Sequence, residues 1–169
     1  MDRQNNRENQ IKHEKIQGVI ILHREDEKKN YLLRLKTNEA RGLFWQNMTG
    51  SVEKGENYQD ALLRELQEET KLELKLSEAD SFHPLEKKNC YEDKFGRFVE
   101  EAVFLVLFSR NEFPPLSIDP IEHIDYEWKP LDEVTSEDFY HASNYDAFMA
   151  AQKIFHALRL PCGPGHHKL

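Results

Sequence analysis

The sequence predicts an α+β domain, on three observations. Residues 16–22 (IQGVIIL) and 98–109 (FVEEAVFLVLFS) are near-continuous apolar runs rich in β-branched residues, the pattern of strands buried on both faces. Residues 144–158 (NYDAFMAAQKIFHAL) place apolar side chains at 148, 149, 151, 154, 155 and 158, which makes an amphipathic helix. Between them, residues 57–70 hold a second helical stripe of Ala61, Leu62, Leu63 and Leu66, behind Asn57, a residue type that caps helix N-termini. Strands, a helix, more strands and a closing helix give an α+β or sandwich-like order.

Each element follows from its own residues. The polar start, residues 1–14, has no signal-peptide core and is expected to be loosely ordered; one domain spans 15–160, and a Pro/Gly-broken tail covers 161–169. After the first apolar strand, residues 24–30 (REDEKKN) make a charged turn. Residues 31–36 alternate, with Leu33 and Leu35 on one face and Arg34 and Lys36 on the other, where the two cations can meet phosphate oxygens. In 42–50 (GLFWQNMTG), Trp45 is available to stack on a flat ring and Gln46 or Asn47 to read its edge. Residues 72–76 (LELKL) alternate as a short strand, 82–87 read as another, and 88–96 as a charged surface loop. Glu100 and Glu101, entering the second long strand, are further carboxylates for a metal or a water. Pro114, Pro115 and Pro120 force a loop. In 121–130 (IEHIDYEWKP), alternation groups Glu122 with Ile124, Tyr126 and Trp128 and turns His123 the other way; residues 131–133 open a helical turn.

Composition narrows the function. A chain of 169 residues buries a core without disulfides or a structural metal. A net charge of −8 argues against a broad basic surface for nucleic acid. Cys90 and Cys162 stand far apart without metal-ligand spacing, which fits a reduced, cytoplasmic setting. No apolar run approaches the roughly 20 residues of a membrane span.

The chemistry sits in 50–72 (GSVEKGENYQDALLRELQEETKL). On a helix Glu65, Glu68 and Glu69 stand at i, i+3 and i+4, so three carboxylates share one face. Like charges that close repel, and hard oxygen ligands suit Mg²⁺, Mn²⁺ or Ca²⁺. The spacing resembles the Nudix box, G-x5-E-x7-R-E-U-x-E-E-x-G-U with U aliphatic, which Gly50, Glu56, Arg64, Glu65, Leu66, Glu68, Glu69 and Leu72 match. Lys71 departs from it, where the pattern has a glycine at the helix exit. A non-glycine there costs about 1 kcal/mol if φ is positive, and no carboxylate is lost.

The resemblance implies a Nudix-type α/β/α sandwich with a mixed β-sheet, in which the box is a catalytic loop-helix-loop. It implies a Mg²⁺-dependent pyrophosphohydrolase, Mn²⁺ being a substitute, with Glu65, Glu68 and Glu69 on the ions. Gly50 lets the backbone approach the metal, Arg64 orients the carboxylates, and Glu56 pairs with Arg64. The general base varies in this family; a box glutamate or Glu122, also a metal-ligand candidate, can serve. The run Phe44-Trp45-Gln46-x-x-Thr49-Gly50-Ser51-Val52-Glu53-x-Gly55-Glu56, with Glu122-His123 before Trp128, is similar to the bacterial dihydroneopterin triphosphate pyrophosphatase branch. The substrate expected is therefore a pterin or nucleoside triphosphate, dihydroneopterin triphosphate or a dNTP, held by Arg34, Lys36, Trp45 and Gln46 in a monomer or homodimer. RNA 5′-end or nucleotide-sugar hydrolysis, and a non-catalytic ligand sensor, are the alternatives; the intact glutamates argue against the sensor.

Overall fold

A mixed eight-stranded sheet forms the middle of three layers. The computed structural model describes residues 12–159, so the expectations for residues before 12 and for the tail at 161–169 lie outside it. Two long strands, β1 (His13–Arg24) and β7 (Phe98–Arg110), run parallel at the centre in register from His13↔Val99 to Arg24↔Arg110. β2 (Lys29–Thr37) returns antiparallel on the second half of β1, and β3 (Trp45–Gln46) pairs with β2. β4 (Met48–Ser51) pairs with the first half of β1. β5 (Ser81–Pro84) and β6 (Asn89–Glu92) share the outer edge of β7, and β8 (His123–Pro130) lines the outer edge of β2.

The two apolar faces of β1 each take a helix. Ile16, Ile20 and Leu22 pack with Leu33, Leu35 and with Leu62 and Leu66 of α1 (Tyr58–Thr70). Val19 and Ile21 pack with Leu32, Val103, Leu105 and with Phe148 and Phe155 of α2 (Ala142–Arg159). Burying one such side chain contributes about 1.5–3 kcal/mol. No helix among the described residues is long and apolar enough to cross a membrane.

Local corrections follow from backbone pairing. Residues 72–76 form no strand: Leu72 and Leu74 do pack on the core, but Leu72 N–H donates to Thr70 Oγ1 (3.1 Å) and Lys75 N–H to Asp80 Oδ2 (2.7 Å), which replace a ladder. The strand expected at 82–87 lies at Ser81–Pro84 and stops at the proline, which has no N–H to donate. Part of the expected loop at 88–96 is β6, joined to β7 by a turn in which Asp93 accepts from Phe95 and Arg97 N–H (both 2.9 Å).

Helix α1 begins and ends as its sequence dictates. Asn57 Oδ1 accepts from Asp60 N–H (2.8 Å). At the other end Lys71 takes the left-handed conformation (φ 62°, ψ 14°) and its N–H closes on Gln67 O. Lys71→Gly is expected to raise folding stability by about 0.5–1 kcal/mol, read as the denaturant midpoint, because glycine adopts this conformation without strain. An unchanged or lower midpoint would show that the conformation costs nothing here.

Candidate active site

One arginine organises the loop and the helix. The Arg64 guanidinium donates twice to Glu56 (Nε to Oε2 and Nη2 to Oε1, both 2.9 Å), to Glu65 (3.0 Å), to Glu68 (3.1 Å) and to the Ser51 carbonyl (2.8 Å). This fork pins the acidic loop to the helix and holds Glu56 below the usual carboxylate range. Glu65 is buried beside β4 because Gly50 has no side chain: a Cβ there would sit 2.1 Å from Glu65 Cδ. Glu68 stays half exposed on the outer side of the helix.

The second half of the site comes from the loop before β8. Glu69 is 3% exposed, and its carboxylate lies with Glu122 and His123 in a group whose potential ligand atoms are all within 4.8 Å of one another. Asp119 builds the loop: its carbonyl accepts from Glu122 N–H (3.1 Å) and His123 N–H (2.9 Å). Arg41, on the 3₁₀ turn Glu39–Arg41, donates to Glu122 Oε1 (2.9 Å). His123 Nδ1 is 2.9 Å from Glu69 Oε2, yet neither atom has a well-directed hydrogen bond.

Glu122 lies in the turn ahead of the strand, not on it, and His123 faces the opposite way from the expected one. The reason is a β-bulge. Asp125 pairs with Lys36 and His123 with Thr37, so Ile124 is an extra residue that reverses the alternation. His123 thereby joins the side of Leu35 and Gln46, against α1, and is 1% exposed. The functional part of His123, and those of Asp119 and Arg41, are absent from the sequence reading; the adjacent Glu122-His123 pair was the available signal.

Burial sets the protonation of the cluster. It raises Glu65 and Glu69 above the ordinary carboxylate range, and it pushes Glu122 up to about 7, helped by a hydrogen bond to Glu69 and by that group's charge. Burial likewise lowers His123. The converging carboxylates of Glu69 and Glu122, with His123 beside them and a buried Glu69 oxygen that lacks a directed partner among the described residues, fit a hard divalent cation, for which Glu65 and Glu68 are the further oxygen donors that the box supplies. Raised carboxylate pKa values mean that the metal-free fold loses stability as pH rises from about 4.5 toward 7, as these groups ionise; a cation removes that penalty. The rise in melting temperature on adding Mg²⁺ is thus expected to grow between pH 5 and pH 7.5. Glu122→Gln should raise metal-free stability at pH 7.5 by about 1–2 kcal/mol and flatten the trend. A metal-induced shift independent of pH in the unmodified protein would contradict this account.

The remaining predicted residues divide between the two sides of the sheet. Gln46 is buried next to His123, with its Nε2 3.1 Å from His123 Nε2, so its amide is spent on that imidazole and not on a ring edge. Trp45 faces the α2 side with Arg34 and Lys36, whose cationic groups lie 4.5 and 6.0 Å from its ring centre. Arg34 is buried and committed to Glu127 and to the Asp138 carbonyl (2.6 Å), in place of the expected phosphate contact. Glu100 is paired with Lys12 (3.0 Å) and Lys88 (3.1 Å); Glu101 accepts from Gln17 (2.7 Å) and Asn89 (3.0 Å), so neither joins the cluster.

The family model of the NUDIX domain matches residues 14–152. The chain belongs to the Nudix family. It is a Nudix hydrolase acting on phosphoric anhydride bonds. Its Nudix fold is similar to that of a Caenorhabditis elegans Ap4A hydrolase in a binary complex (TM-score 0.67, 20% identity, 86% of this chain and 98% of that one). It is similar as well to the Escherichia coli dihydroneopterin triphosphate pyrophosphohydrolase (TM-score 0.65, 21% identity, 85% and 95%). The NUDIX domain of Shewanella oneidensis NrtR, complexed with ADP ribose, gives a TM-score of 0.66 at 16% identity over 92% and 99%. At these identities the likeness is one of fold. No curated protein sequence matches the chain.

Proposed function

We propose that this Nudix hydrolase is a Mg²⁺-dependent pyrophosphohydrolase that cleaves a nucleoside triphosphate-like substrate, dihydroneopterin triphosphate or a dNTP, into the monophosphate and pyrophosphate. The observation that carries the metal-dependent chemistry is the convergence of Glu69, Glu122 and His123, with their ligand atoms within 4.8 Å of one another, around a buried Glu69 oxygen that has no directed partner among the described residues. The substrate choice rests on the 44–56 segment and the Glu122-His123 pair, and the E. coli enzyme among the similar folds supports it.

Hydrolysis of a phosphoanhydride needs charge neutralisation, a positioned water and a proton acceptor. Glu65, Glu68, Glu69 and Glu122 would hold a divalent ion, which would supply the first by shielding phosphate oxygens. Arg64 fixes Glu56, Glu65 and Glu68 in one geometry, so they do not reorganise as charge develops. Glu122, at the edge of the cluster beside Glu69, is the carboxylate placed to take the proton of the attacking water, and a cation in the cluster would keep it ionised for that task. Arg41 holds Glu122 from behind, and His123 lies beside Glu69.

The deciding assay measures phosphate and pyrophosphate release from a panel of dihydroneopterin triphosphate, dNTPs, Ap4A, ADP-ribose and a capped RNA 5′ end with Mg²⁺. Pyrophosphate from the pterin or a dNTP at the highest kcat/KM is the expected result, and preference for Ap4A or ADP-ribose refutes the substrate assignment. Within this proposal the half-buried Trp45 indole, on the α2 side of the sheet, stacks on the ring system. Trp45→Ala is then expected to raise KM by about 5- to 150-fold, the equivalent of about 1–3 kcal/mol of stacking, with a smaller change in kcat. A loss of several kcal/mol of stability with KM unchanged would make Trp45 a packing residue for Arg34 alone.

A further inference from the structure

The arginines bordering the carboxylate cluster are already committed: Arg64 to Glu56, Glu65 and Glu68, and Arg41 to Glu122. Lys71 is not. Among the described residues no ion pair joins it to a carboxylate, and its side chain is exposed. It stands at the exit of α1, where the backbone conformation favours glycine, and it lines an open groove of about 390 Å³ with Glu68, Ser117, Ile118, Asp119 and Pro120. The far wall is fixed to the helix, since Ser117 N–H donates to the Thr70 carbonyl (3.2 Å). The same loop supplies Asp119 to the groove and, a few residues on, Glu122 and His123 to the carboxylate cluster. Of the two acids in it, Glu68 accepts from Arg64, which it shares with Glu56 and Glu65, and Asp119 Oδ1 accepts from Ile121 N–H (3.0 Å).

We propose that Lys71 binds the terminal phosphate of the substrate's phosphate chain in this groove. The proposal rests on the pyrophosphohydrolase reading above. A divalent ion shields the oxygens it touches, whereas the end of a triphosphate carries further charge beyond them. A lysine ammonium, a compact charge with three rotatable donors, suits that end. Lys71 therefore selects for phosphate chains long enough to reach from the cluster into the groove. A plain structural lysine at a helix C-terminus would instead only complement the helix dipole.

The test compares unmodified protein, Lys71→Met and Lys71→Arg on a matched dNTP and dNDP with Mg²⁺. Methionine keeps the stem length and the backbone strain and removes only the charge. The expected result is a KM for the triphosphate about tenfold higher in Lys71→Met, with kcat within about twofold, recovery in Lys71→Arg, and no change for the diphosphate. Equal KM values for the triphosphate, or equal rises for both substrates, overturn the proposal. Calorimetric titration with inorganic pyrophosphate and Mg²⁺ runs alongside, with binding about tenfold weaker expected in Lys71→Met. Were the unmodified protein to hydrolyse no substrate of the panel, the pyrophosphohydrolase reading would fall, and the calorimetry would still decide Lys71: equal pyrophosphate affinities overturn its role.

Discussion

Glu69→Gln is expected to lower kcat by on the order of 10²–10³-fold at saturating Mg²⁺, with the fold retained or stabilised. The magnitude is that of losing one well-placed electrostatic group in a site shielded from water. Glu69 is the most enclosed of the box glutamates, and its Oε2 has no directed hydrogen bond. Burial and its acidic neighbours already hold its carboxyl above the ordinary range, so neutralising it relieves a cost to folding. Glutamine preserves shape and keeps one oxygen, which makes this a test of charge and not of packing. Glu68→Gln is the informative comparison, because Glu68 is half exposed and anchored by Arg64, and it should cost less than Glu69→Gln. Wild-type turnover by Glu69→Gln, or full turnover of the unmodified protein in excess EDTA, would remove the metal-dependent mechanism altogether.

What could be read from the sequence was local; what could not depended on pairing between distant strands. The carboxylate face of α1 is fixed by helical spacing within five residues, and Asn57 and the positive φ at Lys71 follow from neighbours within one turn. The two long strands announce themselves because both faces are buried. By contrast, the orientation of His123 depends on Ile124 bulging against Lys36 and Thr37, on a strand far earlier in the chain. Strict alternation cannot foresee that insertion. Residues 72–76 alternate as a strand does, and Leu72 and Leu74 pack on the core, yet among the described residues no neighbouring strand bonds them. β6 lies on an exposed hairpin and carries no apolar pattern to reveal it. The pairing of Trp45 and Gln46 on one ring was correctable from the sequence, since adjacent residues on a strand face opposite sides.

Gly50→Ala is expected to lower kcat by on the order of 10²-fold and to cost about 1–3 kcal/mol of stability, although it changes no charged group. The added Cβ would lie 2.1 Å from Glu65 Cδ, 2.3 Å from Cγ and 2.5 Å from Oε1. Neither partner can simply step aside. Gly50 is held in register opposite Ile16 on β1, and the Glu65 carboxylate is held by Arg64 at 3.0 Å. Displacing Glu65 therefore pulls on the fork that also orders Glu56 and Glu68. The box glycine is needed here because a glutamate side chain passes over it; its φ is not among the positive ones. Combining Gly50→Ala with Glu65→Ala separates the two effects. The double variant should regain most of the stability lost in Gly50→Ala, since nothing is left to collide with, while its activity stays at the level of Glu65→Ala alone. If Gly50→Ala keeps wild-type kcat, or if the two stability costs simply add, then Glu65 is not seated by this glycine and the account of how the loop presents its carboxylates to the metal fails.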